Sequence, residues 1–364
     1  LTSELPGELK EKGVILCTLE TAVRDHPELI DRFFMKQEEA LGNRKFAHLH
    51  RAFVQTGIVV SVPANVELKQ PIIVDYLLAG QHASTFPHTL VVAGENSSVT
   101  VVDVFRSKGP APGFACGVND LYAEQGAKLN YLCIQDWNEQ TLSFQIGTTQ
   151  AEKDAHSKAC YLNFGGSFSR LETICRSIGP GARSDLLGLS LVHGRQEFDQ
   201  RTLQVHEAPH TWSDLLFKNT LNHRGKSIFS GLIKVAPGAK QTDAYQTNRN
   251  LLLDPNAEAD SMPGLEINND DVKCSHGATT SQIEDTYLFY LKARGIPEMV
   301  AKHLIAIGFC QEIIERFDSS VFQEPLSKLI EDKFSKSEKL ELSDFKSAEK
   351  AEVGSDVRQL QGTV

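Results

Sequence analysis

The densest chemistry in this sequence lies in residues 270–283, DDVKCSHGATTSQI, where Cys274 and His276 stand two positions apart. In an extended strand, residues two apart point to the same side. The segment would therefore present a thiol and an imidazole together, the softer donors that suit iron, zinc and copper(I). Two donors do not close a tetrahedral site, so further ligands would have to come from elsewhere in the chain or from a partner. Packing explains the same pair more simply, with Gly277 letting another backbone approach closely. The residues alone leave both readings open.

Other candidates are weaker. Asp199, Asp214, Asp243 and Glu266 could serve a carbohydrate-cleaving groove, which needs carboxylates in pairs. Nothing in their spacing pairs them, and solvated turns or strand flanks explain them as simply. Arg224–Ser227 reads RGKS, like the end of a phosphate loop, but Thr220 stands where the required upstream glycine belongs. The segment also lies within a strand pattern with no helix following it, so no ATP site is expected. No GxSxG, HExxH or GxGxxG pattern occurs, and Asn96-Ser-Ser98 reads as a turn rather than a glycosylation site.

Composition sets the setting. The 364 residues carry 37 Lys+Arg against 47 Asp+Glu, a formal charge of −10, which argues against a nucleic-acid binder. No apolar run approaches the roughly 18 residues that span a bilayer, and the first residues, LTSELPGELK, lack a signal-peptide pattern. A first residue of Leu suggests a trimmed or processed start. The seven cysteines are odd in number and form no CxxC pair, which predicts free thiols in a reducing cytoplasm.

Periodicity divides the chain into the elements that must position these residues. Residues 1–56 read as a helical module: Thr18 caps a short helix through Leu19, Ala22 and Val23, and Pro27 opens the next. Phe46, Leu49 and Phe53 continue the helical spacing, with Gly57 as terminator. Residues 57–283 alternate instead, in short apolar stretches separated by turn residues. Small residues recur at Ser97, Ala127, Ala155, Ala182, Thr211, Ser227 and Ala239, implying a repeat of about 28 residues. With no intervening amphipathic helix, such a repeat suits the coils of a β-solenoid; an immunoglobulin-like sandwich is the alternative. Helical spacing returns over 284–330. Ser281–Glu284 forms a capping-box pattern, Gly295 is a stop and Pro297 a start, and Val300, Leu304, Ile307, Ile313 and Ile314 form a stripe. Residues 331–364 are expected to be a charged tail, mobile or weakly helical.

The stretch NRNLLLDPNAEADSMPGLEINNDDVKCSHGATTSQIEDTYLFYLKARGI closely resembles the C-terminal signature of the SufB/SufD family of iron–sulfur cluster assembly scaffolds. GVILCTLETAVRDHPEL, VPANVELKQPI, GRQEFDQRTLQVHEAPHTWSDLLFKNTL and FSGLIKVAPGAKQTDAYQTN extend the resemblance over roughly residues 12–316. Cys274-Ser-His-Gly277 is similar to SufD, whereas SufB usually carries Glu-His-Glu where this chain has Ser275-His276-Gly277. ATTSQI keeps a SufB-like wording. Cys175, in CRSIG, has the spacing of the cysteine that receives sulfur in SufB, but in a SufD-like chain it reads as a strand core residue.

The resemblance implies a right-handed parallel β-helix between helical domains, with no catalytic turnover of its own. It implies pairing with a SufB-like protein through the end of the β-helix and docking of a SufC-like ATPase on the helices of about 284–316. A transient iron–sulfur cluster would form at the SufB interface, with His276 as the first choice of ligand, completed by the partner chain, and Cys274 beside it. Ligation requires a neutral imidazole and a deprotonated thiol, so both roles would depend on pH. In isolation the exposed strand edge is expected to pair with a second copy.

Overall fold

The computed structural model describes residues 5–36, 41–42, 44–317 and 320–337. Two long sheets face each other. The first runs β1 (Ile15–Thr18), β2 (Thr56–Val62), β5 (Pro87–Ala93), β7 (Gly113–Ala123), β9 (Thr141–Ala151), β11 (Phe168–Ser177), β13 (Glu197–His206), β15 (Lys226–Val235) and β17 (Glu258–Ile267), with β4 (Ala83–Thr85) beside β7. The second runs β3 (Ile72–Ala79), β6 (Ser98–Lys108), β8 (Lys128–Asp136), β10 (His156–Asn163), β12 (Arg183–Val192), β14 (Trp212–Leu221), β16 (Thr242–Leu252) and β18 (Val272–Gln282). From β2 onward every pairing is parallel, so the chain alternates between sheets and winds a solenoid of about eight turns. The parallel ladders exclude the sandwich reading.

The turns explain why this sequence winds rather than folds back. Asn96, Gly126, Asp154, Gly181, His210 and Gln241 all adopt positive φ. Their N–H groups bond to a carbonyl of the next coil, as in Asn96 to Gln125 (2.9 Å) and His210 to Lys240 (2.8 Å). Glycine suits 126 and 181, where φ is positive and a Cβ would push aside the side-chain oxygen of Asn96 or Asp154 in the coil before. The repeat itself needs a correction. Ser97, Ala127, Ala155, Ala182 and Thr211 do precede equivalent strands, but the next equivalent is Thr242, not Ala239, and Ser227 belongs to the other sheet. Ala239 is the counterpart of Ala208: the hydroxyls of Thr242 and Thr211 donate to these two carbonyls at 2.9 and 3.2 Å.

The helices cover the solenoid. Of α1 (Gly7–Glu11), α2 (Leu19–Asp25), α3 (Pro27–Phe33) and α4 (Arg44–Phe53), the second is capped by the Thr18 side chain accepting from the Thr21 N–H, as expected. Strand β1 was not anticipated; it pairs antiparallel with β2 and closes that end of the first sheet. Gly57 lies inside β2 instead of ending α4, where a Cβ would press on the His88 carbonyl. Helix α5 (Asp285–Ala293) begins after Glu284 without a side-chain cap, because Ser281 is committed to β18. Gly295 and Pro297 do punctuate the chain before α6 (Glu298–Phe317).

Ala306, Cys310, Ile313, Ile314 and Phe317 of α6 pack on Val102, Leu132, Leu162, Leu187, Leu189 and Leu216 of the second sheet. Lys218 and Arg249 pair with Glu312 at 2.7 and 3.0 Å, and Arg316 with Asp214 at 2.6 Å. Helix α7 (Ser320–Ser337) runs on through 331, where the tail was expected to begin, because Ile330 and Phe334 are buried in the same cluster. Residues 338–364 of the expected tail lie outside the described residues. Among the described residues no helix is long and apolar enough to cross a membrane.

Candidate functional site

Strand β18 is the last rung of the second sheet, bonded to β16 on one side only. Its register sets Cys274 beside Ala244 and His276 beside Gln246, both buried lumenal residues of the preceding coil. Cys274 and His276 thus share the lumenal face of the terminal strand, as the two-residue spacing predicts. No coil follows, so what is lumen upstream is open here. Cys274 is half-buried against Ile233, Val235, Ala239 and Ala244, while His276 is exposed. Among the described residues nothing lies within 4 Å of a Cβ on Gly277, so none of them brings a backbone close to it.

The electrostatics keep the thiol protonated. Burial raises the Cys274 pKa and the Asp243 carboxylate raises it further, against a partly offsetting backbone hydrogen bond from Ala244. A metal arriving at Cys274 would have to displace that proton. Among the described residues no group of three or more His, Cys, Asp or Glu could hold a metal ion. A metal held by this pair would therefore need donors from outside the described chain.

The site is framed by unpartnered strand edges. Strand β17 ends the first sheet beside β18, with Met262, Leu265 and Ile267 exposed. Just beyond, α5 turns Tyr287, Phe289 and Tyr290 to solvent, with Phe289 73% exposed. Sequence reasoning places Tyr287 with Leu288 and Leu291 on a helix and passes over Phe289 and Tyr290; the tertiary structure leaves all three aromatic side chains uncovered.

The other candidates stay apart from this end. Cys175, in β11, is a lumenal residue beside Thr149 and Gln204, 4% exposed, its thiol pushed up to about 12 by burial. Asp199 is engaged by Arg170 and Arg201 at 2.8 Å each, Asp214 by Arg316, and Glu266 by Lys234 at 3.0 Å. These carboxylates sit in separate ion pairs, and Asp243 lies beside Cys274 and Tyr245. Lys226 and Ser227 of the RGKS segment open strand β15, with no helix N-terminus to receive a phosphate. All seven cysteines are free thiols.

Comparison with known proteins agrees with this architecture. The SUF-system iron–sulfur cluster assembly SufBD core domain matches residues 76–309, and the SufBD N-terminal region matches residues 2–74. The iron–sulfur cluster assembly protein SufD of Bacillus subtilis is 28% identical over 334 residues, which cover 90% of this chain and 76% of that protein. A SufBD family protein of Synechocystis is 30% identical over 79% of this chain, and one of Staphylococcus haemolyticus 28% identical over 84%. The matched stretches span 66% and 65% of those two relatives' own lengths. A two-sheet parallel solenoid flanked by helices, with both family regions in sequence, makes this chain a member of the SufBD family of iron–sulfur cluster assembly proteins, similar to SufD.

Proposed function

We propose that this chain is a non-catalytic scaffold subunit of the cytoplasmic SUF machinery, pairing through β17 and β18 with a SufB-like protein. His276 is the ligand it offers to the nascent cluster, with Cys274 beside it and the remaining donors supplied by the partner. The carrying observation is that a thiol and an imidazole share the lumenal face of a strand with no pairing partner beyond it. The cluster is cargo here, assembled at the junction and handed on. A SufC-like ATPase docks on the helices of 284–316, where Tyr287, Phe289 and Tyr290 are exposed. Without a SufB-like partner the same edges pair two copies of this chain.

The buried position of Cys175 favours packing over sulfur acceptance, so the SufD-like role is preferred to a SufB-like one. The test is reconstitution of the full chain with SufB-like and SufC-like proteins, with and without His276→Ala, following cluster absorbance. The substitution is expected to leave the complex intact and reduce cluster yield at least tenfold. Normal cluster yield in the variant complex rules out the ligand assignment.

A further inference from the structure

One lumenal column of the second sheet is polar through six successive coils. Gln135, Asn163, Ser190, Asn219, Asn250 and Thr280 occupy the same register position in β8, β10, β12, β14, β16 and β18. The first five are buried. In the last coils the amides hand hydrogen bonds along the axis toward the open end. Gln200 of β13 donates to Asn219 at 3.0 Å, Asn219 donates to Asn250 at 2.8 Å, and the Asn250 amide reaches the Thr280 hydroxyl at 3.1 Å. The ladder stops at Thr280, which is exposed. Its hydroxyl accepts from Asn250 and keeps its own O–H to donate.

We propose that Thr280 sets the register of the partner strand that pairs with β18, and that this strand carries an amide or hydroxyl side chain as the next rung. The inference rests on the pairing proposed above and specifies what the partner must present. A partner strand buries Thr280 as each coil buries the rung before it. An apolar residue opposite would bury the hydroxyl without an acceptor for its O–H, a cost that a hydrogen-bonding rung avoids. Register matters because Thr280 and His276 share one face of β18, two lumenal positions apart. A slip of one residue turns the partner's donors to the wrong face, and a slip of two displaces them by about 7 Å along the strand. Thr280 is thus a positioning residue for ligands that meet His276.

The test uses the full chain with a SufB-like partner and the variants Thr280→Val and Thr280→Ser. Valine matches the shape of threonine and suits a strand, and the Asn250 amide keeps Asn248 (3.0 Å) and Ser261 (3.1 Å) as acceptors, so each isolated variant should melt with the wild type. Thr280→Val is expected to weaken the complex about tenfold, and Thr280→Ser to restore it. Disulfide trapping from Ser281→Cys against a cysteine scan of the partner's terminal strand is expected to give one maximum in wild-type background. In the Thr280→Val background trapping should spread to positions two residues away. Unchanged affinity and an unchanged single maximum in Thr280→Val would overturn the register role while leaving the pairing intact. Failure of the wild-type chain to bind would overturn the pairing, and this inference with it.

Discussion

Cys274 differs from the deeply buried thiols in access rather than in charge state. Burial and Asp243 both raise its pKa, so alkylation of the isolated chain should be slow at neutral pH and accelerate as pH rises. Asp243→Asn should speed it severalfold at pH 7.5; an unchanged iodoacetamide rate would remove Asp243 from the explanation. Cys116 and Cys175, pushed up to about 12 by burial, should stay unlabelled in the folded chain.

Histidines give the molecule its acid sensitivity. His50 donates from Nδ1 to the Cys116 carbonyl at 2.8 Å, so its neutral ring uses Nε2 to accept from His88 Nδ1 at 3.1 Å. Burial lowers the His50 pKa to about 3 and those of His206 and His303 to about 4. Below about pH 6.5 the unfolded chain binds protons at all three positions and the folded chain does not. Stability is therefore lost as pH falls, by roughly 2 kcal/mol for each by pH 5. Asp103 acts in the opposite sense: burial raises it to about 6, so acidification returns part of the stability it costs at neutral pH. Urea midpoints should fall between pH 7 and pH 5, corresponding to a net loss of roughly 4 kcal/mol. A midpoint that rises would contradict the buried-histidine account.

At the scale of elements, the same residue type meets opposite fates in different strands and turns. A Cβ on Gly165 would collide with the Trp137 backbone of the neighbouring coil, and backbone cannot rotate away. Gly165→Ala should destabilise by about 3 kcal/mol or more, seen as a large drop in melting temperature. Gly277→Ala should leave the isolated chain unchanged, since a Cβ there meets nothing. Equal melting temperatures for the two variants would show the coil spacing to be wrong. Helix α5 presents its aromatic side chains outward, so on the proposed docking Phe289→Asp should sharply reduce co-purification of a SufC-like ATPase while the fold and the proposed SufB-like pairing persist. Retention of the ATPase at wild-type levels would move its dock elsewhere.

The whole molecule is asymmetric. Strand β1 closes the start of the first sheet, whereas β17 and β18 leave both sheets without a pairing strand among the described residues at the other end. Helix α6 locks the second sheet from outside, and Lys218, its side chain 5% exposed, depends on Glu312 for its countercharge. Glu312→Ala should therefore destabilise by about 3 kcal/mol, because it leaves a buried ammonium without its carboxylate. Urea denaturation measures this, and a change below about 0.5 kcal/mol would mean that solvent or another group compensates.

Local rules are readable from neighbouring residues. Alternating strands, turn residues near a 28-residue period, the Thr18 cap and the Gly295–Pro297 punctuation all follow from neighbours in the chain, and Cys274 and His276 share a face because a strand repeats every two residues. Contacts between coils were legible only in part. The period was visible, but Ala239 and Thr242 both fit the pattern of small residues, and only pairing across strands chooses between them. Tertiary structure alone decided which strand comes last and which apolar side chains stay uncovered. Met262, Phe289 and the buried leucines are alike in the sequence, and exposure depends on whether another coil or helix arrives to cover them. That arrival is a long-range event, which no local spacing encodes.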